Sequence, residues 1–294
     1  LSARRIQPGE RGFDATLGYG GHTLKMLEAL GGTGHLYGGD VDPIESEKTI
    51  ARIRAKGYGD DRWSFRRMNF CQIDELARDV GPFDFVLADL GVSSMQIDDP
   101  ARGFSYKTDG PLDLRLNPEA GSSAAERLAG MTQDEIEGML VCNADELYAA
   151  AIAKQIVRDE QRGPIETTQA LHETIERALR SVHFPKGTTP EEKKDAVKKS
   201  SARTFQALRI DVNHEYEVLY EFMEKLPEAL APGGRAAILT FHSGEDRIVK
   251  KAFQAFHRSG IYSDVAKDVI RPSKEECYRN PRAHSTKLRW AIKA

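Results

Sequence analysis

At 294 residues, with 40% hydrophobic and 30% charged side chains, the chain is long enough for one large domain or two modest ones around a sizeable core. A net charge of −3 excludes a globally basic nucleic-acid binder, so any such surface must be local. Three cysteines without a C-x-x-C pair exclude a disulfide framework or a zinc cluster, and no apolar run approaches the ~20 residues of a membrane span; together these lead us to expect a cytoplasmic protein.

The first third alternates short apolar runs with helical patterns. GFDATLG (Gly12–Gly18) reads as a short strand entering glycines, and His22–Leu30 as a helix. GHLYGGDVD (Gly34–Asp42) is a second strand, and Pro43 suits the first turn of a helix reaching about Lys56. Trp63–Phe70 is strand-like, Ile73–Val80 helical, and FDFVLADL (Phe83–Leu90) a fourth strand. This βαβαβαβ order implies a parallel sheet with right-handed crossovers.

Only helical patterns occupy Ser122–Val182, where Leu171, Ile175, Ala178, Leu179 and Val182 share a face. PKGTTPEEKKDAVKKS (Pro185–Ser200) reads as a charged, mobile link. A long helix then carries Phe205, Leu208, Val212, Leu219, Phe222, Leu226 and Leu230 toward a core. APGG (Ala231–Gly234) breaks it, RAAILTF (Arg235–Phe241) resumes the strand pattern, and KLRWAIKA (Lys287–Ala294) is a further strand. The expected fold class is α/β: a doubly wound, Rossmann-like domain from residues 1–108 and 200–294, interrupted by an all-helical insertion at 109–199.

Open sheets of this kind bind ligands beyond the carboxyl ends of their strands. The first strand enters GYGGH (Gly18–His22), which is either a simple tight turn or one that lets ligand atoms approach the backbone. The second ends in Asp40, able to accept both ribose hydroxyls of a nucleoside or to cap the helix starting at Pro43. The fourth ends in Asp89, and a carboxylate there must be paired, exposed or used. A dinucleotide fingerprint fails, because Thr23 stands where G-x-G-x-x-G needs its third glycine. A nucleoside without a pyrophosphate, such as S-adenosylmethionine, fits this set better.

The blocks DATLGYGGHT, GGDVDP, DFVLADLGVSSMQIDDPARGFSYKTDGPLDLRL, RTFQALRIDVNHE, LAPGGRAAILTFHSGEDRIVK and NPRAHSTKLR follow one another over nearly the whole chain. They resemble successive blocks of the RsmH (MraW) family, bacterial methyltransferases acting on N4 of a cytosine in 16S ribosomal RNA. The resemblance implies a class I S-adenosylmethionine-dependent fold, with Gly20, Gly21, His22, Asp40, Phe70, Asp89 and Gln96 as cofactor contacts. It also implies 16S rRNA as partner, within the small ribosomal subunit at its decoding region. The family's opening His-x-Pro-Val segment is absent before Leu1, so an N-terminal piece is expected to be missing. ELYAAAIAKQIV (Glu146–Val157) stands where many members carry arginines. The expected RNA contact of the insertion therefore shifts to Lys193–Arg203, including Lys198, Lys199 and Arg203.

Asp89 carries the chemistry on this reading. Cytosine N4 is a poor nucleophile, and related amino-methyltransferases align it with a D/N-P-P-Y/F turn. DLGV (Asp89–Val92) lacks the prolines and the aromatic but occupies the same strand end, so Asp89 is expected to accept a hydrogen bond from N4. His242 stands at another strand end, as a candidate contact to the target nucleotide. Asp113 and Arg115 either pair with each other or touch RNA, and Phe104 and Tyr106 are candidates to stack on a splayed cytosine. No metal site is read from HSGED, whose acids suit a helix start. Arg271, Lys274, Arg279, Arg282, Lys287 and Arg289 form either a second phosphate-contacting patch or a charge-balanced surface. Competing functions are methyl transfer to DNA or protein, dinucleotide-dependent redox chemistry, and non-catalytic RNA binding in ribosome assembly.

Overall fold

The computed structural model describes residues 5–294, which divide into two units. One takes the chain up to Ser93 together with Tyr216–Ala294; the other is Ser94–Glu215. In the first, β1 (Arg11–Asp14), α1 (Gly21–Ala29), β2 (His35–Asp40), α2 (Pro43–Ala55), β3 (Trp63–Arg67), α3 (Ile73–Val80) and β4 (Phe83–Asp89) alternate as expected. The second holds α4 (Ser94–Asp98), α5 (Ala124–Gly130), α6 (Gln133–Ala144), α7 (Ala149–Glu160), α8 (Thr168–Arg180) and α9 (Pro190–Asn213). The chain then returns through α10 (Glu215–Ala229), β5 (Leu230–Thr240), α11 (Ser243–Arg258), β6 (Tyr262–Val265), α12 (Lys274–Arg279) and β7 (Lys287–Lys293).

The strands form one sheet in the order β3-β2-β1-β4-β5-β7-β6. β1 to β5 are mutually parallel, and β7 runs antiparallel to both of its neighbours. The order turns back between β1 and β4, which makes their carboxyl ends the switch point of the sheet. β4 is buried on both sides: Phe85 and Leu87 join the cluster under α1 and α2, while Phe83, Val86 and Ala88 join that under α3, α10 and α11. Gly12 is required beside it, because a Cβ there would lie 2.0 Å from the Phe85 ring.

The helical unit has its own core, with Leu128, Ile136, Leu140, Ile152, Leu171 and Leu208 among its buried members. Its bounds, Ser94 and Glu215, lie outside the 109–199 read from the sequence. Phe104 and Tyr106 pack against this cluster and Phe205 and Leu208 enter it, so the segments on either side of 109–199 fold with it. The segment expected to be a mobile link is instead the first half of α9. Thr189 accepts the Glu192 N–H, Glu192 accepts the Thr189 N–H at 2.7 Å, and Pro190 occupies the first turn. The long helix expected to run on to Leu230 stops at His214, which takes the left-handed conformation at φ +51°.

Two strand details also differ. APGG lies inside β5, at a register shift opposite β4, and does not precede the strand. β6 had no sequence signal, since only Tyr262 and Val265 of its four residues are buried. Among the described residues no helix is long and apolar enough to cross a membrane.

Glu146, whose side chain is fully buried, sits among the helices of this unit. Its carboxylate accepts from Arg203 Nε at 2.7 Å, Ser200 Oγ at 2.9 Å and the Tyr148 N–H at 2.9 Å. Arg203, expected from the sequence to contact RNA, directs its guanidinium to this carboxylate. Arg203→Ala strands the buried charge and should destabilise the unit by about 3–5 kcal/mol in urea unfolding. A loss below ~1 kcal/mol would show that the pair is not structural.

Candidate active site

β1 ends in Asp14, a buried carboxylate that organises the turn behind it. Asp14 Oδ2 accepts from Thr23 Oγ1 at 2.5 Å, and Oδ1 from the Thr16 N–H at 3.3 Å. Thr16 Oγ1 in turn accepts the Asp89 N–H at 2.7 Å, which ties the ends of β1 and β4 together. The glycine turn is held from its other side by α2. Thr49 Oγ1 donates to the Gly18 carbonyl at 2.6 Å, and Arg52 Nη1 to the Tyr19 carbonyl at 2.6 Å, with the guanidinium 3.6 Å from the Tyr19 ring centroid. Gly20 needs to be glycine here: its φ is +80°, and a Cβ would lie 2.8 Å from Thr49 Cγ2.

Asp40 joins the same construction. Its Oδ2 accepts the Gly18 N–H at 2.8 Å and its Oδ1 the Asp42 N–H at 2.9 Å. The capping alternative belongs to Asp42, whose side chain accepts from Ile44 and Glu45 at the start of α2. Burial raises the Asp40 carboxyl, against backbone N–H groups, those of Asp42 and Gly18 foremost, that favour its charged form. The α1 N-terminus has no capping side chain and no acid in its first turn. Its leading N–H groups are therefore open to an anionic ligand.

His22, in the first turn of α1, places Nε2 3.3 Å from Asp89 Oδ2. This contact raises the imidazole above its ordinary value, outweighing partial burial and the nearby Lys25. Asp89 Oδ1 is buried and has no hydrogen-bond partner among the described residues. A buried, unpaired carboxylate oxygen is costly, which points to a donor that a bound molecule brings. Phe70 lies just beyond β3, in a one-turn 3₁₀ helix fixed by reciprocal Asn69 and Gln72 bonds, its half-buried ring edge-on to Phe222 at 5.1 Å.

Gly20, Gly21, His22, Asp40, Phe70 and Asp89 thus share the carboxyl edge of the sheet. His242 follows β5 at that edge. It caps α11 through Nδ1, and its Nε2 lies 3.2 Å from Glu245 Oε1. The remaining expected residues belong to the helical unit. Gln96 is buried on α4. Asp113 and Arg115 form a two-pronged pair, with Nε–Oδ1 and Nη2–Oδ2 both at 2.7 Å. Tyr106 stacks on His172 at 4.4 Å and Phe104 packs half-buried on the helical core, so both rings are engaged within the unit. Lys198 and Lys199 are exposed, and Lys199 Nζ lies 2.7 Å from Asp195.

Sequence reasoning missed Asp14, although the criterion that singled out Asp40 and Asp89, an acid at a strand's carboxyl end, applies equally to it. Thr49 and Arg52 carried no such signal, since three-residue spacing on a helix is unremarkable before the loop is in place.

Burial pushes Asp14 up to about 7, against the pull of the Thr23 hydroxyl and His22. Folded Asp14 therefore keeps a proton that the unfolded chain releases, and its contribution to stability is lost as pH rises from about 4 to about 7. Asp14→Asn cannot titrate. Between pH 5 and pH 8 the wild-type Tm should fall at least ~2 °C further than that of the variant. Parallel profiles would mean Asp14 is ionised throughout.

A model of the MraW methylase family matches residues 4–294. The chain is 62% identical over 291 residues to "Ribosomal RNA small subunit methyltransferase H 1" of Agathobacter rectalis, spanning 98% of this chain and 81% of that protein. It is 61% identical to the like-named protein of Lachnoclostridium phytofermentans, over all of this chain and 79% of that one. Against "Ribosomal RNA small subunit methyltransferase H" of Thioalkalivibrio sulfidiphilus it is 40% identical, covering 99% and 93%. With its strand-end carboxylates and glycine turn inside a match of that extent, the chain belongs to the MraW methylase family.

Proposed function

We propose that this methylase transfers a methyl group from S-adenosylmethionine to N4 of a cytosine in 16S ribosomal RNA, at the decoding region of the small subunit in the cytoplasm. The names of its relatives support the RNA substrate. The observation that carries the chemistry is Asp89, with one buried oxygen left without a partner beside the glycine turn.

The residues fit such a cofactor. Each Asp40 oxygen takes one backbone N–H and keeps a lone pair for a ribose hydroxyl. The uncapped start of α1, with Gly20 and Gly21, suits the carboxylate of the methionine end. Phe70 offers an apolar face for adenine. When bound, S-adenosylmethionine supplies a methyl group made electrophilic by its positive sulfur.

Asp89 accepts a hydrogen bond from the N4 amine and so holds its lone pair in line. As the N–CH₃ bond forms, N4 gains positive charge and must shed a proton, which Asp89 accepts. His22 contacts Asp89 and is 47% exposed in its side chain, so it connects the carboxylate to water. His242 lies along the same edge as a contact for the target nucleotide. The helical unit, with exposed Lys198 and Lys199, serves RNA recognition.

Incubation with labelled S-adenosylmethionine and small subunits from a strain lacking this gene should place one methyl on a cytosine N4. Label in another base, in protein, or nowhere would overturn the reading. Asp40→Ala should weaken S-adenosylhomocysteine binding by about 1.5–3 kcal/mol per lost hydrogen bond in calorimetry. Unchanged affinity would remove Asp40 from the site.

Asp89→Asn should reduce kcat about 10²- to 10⁴-fold with little change in cofactor affinity. Protonated His22 holds the Asp89 carboxylate in an ion pair that competes with N4, so turnover should climb as pH rises through the raised histidine value and then level off. His22→Gln should flatten that limb, while Asp14→Asn should keep it but move it to lower pH, because Asp14 is one of the charges that raise His22. A limb that survives in His22→Gln would assign it to another group.

A further inference from the structure

Between β6 and β7 the chain makes an excursion, residues 266–286, that no step above uses. Its location follows from the register of the sheet. β5 is parallel to β4, with Asp89 opposite Leu239, and Thr240 at its end pairs with Lys287, the first residue of β7. β6 ends opposite Ala291, and the Ala266 N–H donates to the Trp290 carbonyl at 2.9 Å. From there the chain follows β7 as far as Ile270, whose partner Leu288 stands beside Leu239, so the stretch beyond Ile270 leaves from the carboxyl edge of the sheet and returns to it at Lys287, the edge that carries Asp40 and Asp89.

The excursion is shaped by local bonds and has almost no core. Ile270 exchanges backbone bonds with Leu288 at 3.0 and 2.8 Å, Ser273 caps α12, and the Asn280 side chain caps the turn at Pro281–Ser285. Only Ala283 is buried. Folding thus gives no reason for the large aromatic it carries: Tyr278 is 89% exposed, the highest value among the exposed large hydrophobic side chains. Its charge also departs from the rest of the chain. Five Lys or Arg face three Asp or Glu within 266–286, in a protein whose net charge is −3. Arg279 is paired with Glu275 at 2.6 Å, whereas Arg271 and Lys274 are exposed. At the root of the excursion a concavity is lined by Val265, Lys267, Asp268 and Trp290. Of the basic residues near the C-terminus, Arg289 is buried against Asp246 at 2.7 Å and belongs to the fold.

We propose that the 266–286 excursion is a docking arm for the unpaired RNA flanking the target cytosine, with Arg271 and Lys274 on phosphates and Tyr278 stacked on a neighbouring base. The inference rests on the RNA substrate proposed above. Cations that follow a backbone beside an aromatic that takes a base are how single strands are held without sequence readout. An acidic protein would use the cations but leave the outward tyrosine without a role.

The test uses the full chain with unmodified 16S rRNA transcript, measuring affinity over a salt series alongside S-adenosylhomocysteine calorimetry and thermal unfolding. Arg271→Gln with Lys274→Gln should weaken RNA binding and reduce the salt slope by about 0.7 per contact. Tyr278→Ala should weaken binding about five- to tenfold, and Tyr278→Phe should restore it. Cofactor affinity and Tm should stay at wild-type values in all three. Wild-type protein that neither binds nor methylates the RNA overturns the function and this arm together. A functional wild type whose variants bind with unchanged affinity and slope overturns the arm alone. Losses confined to the charge variant overturn the stacking role of Tyr278.

Discussion

The Gly18 N–H reaches the Asp40 carboxylate at 2.8 Å, and that bond fastens the loop after β1 to the end of β2. Every other feature of the candidate site depends on the loop being held there. Thr49 and Arg52 take the two carbonyls at Gly18 and Tyr19, and Asp14 takes the hydroxyl and amide of Thr23 and Thr16. With both edges fixed, Gly20 is forced to positive φ and α1 starts with its N–H groups uncovered. The chain has built an anion-accepting helix end out of backbone alone, beside a carboxylate with lone pairs to spare.

This arrangement is expensive in stability. Asp14, Asp40 and Asp89 crowd the ends of neighbouring strands, and burial pushes the first two toward their neutral forms. A core built for stability alone would place apolar residues at these positions. Rigidity is what the acids give in exchange. A site that must hold a nucleoside and an incoming amine in line benefits from donors and acceptors that are already oriented.

Much of the sheet was legible because period and punctuation agreed: apolar runs of strand length, glycines after β1, Pro43 at the start of α2. The strand-end acids were legible for the same reason, since a carboxylate closing an apolar run is conspicuous. What escaped depended on tertiary packing. The Pro185–Ser200 stretch looked like a linker because it is charged, yet Thr189, Pro190 and Glu192 form a complete helix start and Ala196 and Val197 rest on the helical core. Arg203 looked like a phosphate contact because it closes a basic run, but only the fold brings buried Glu146 to it. Phe104 and Tyr106 looked available for a base because aromatics beside a substrate motif often are; here the helical unit uses both rings in its own packing.

In the proposed function one sheet edge holds the nucleoside through Asp40 and meets the target amine through Asp89. A crystal structure with S-adenosylhomocysteine and cytidine tests both at once. The ribose hydroxyls should donate to Asp40, and N4 to Asp89, at hydrogen-bond distance. A complex in which N4 meets a different side chain, with Asp89 Oδ1 still unpartnered, would contradict it.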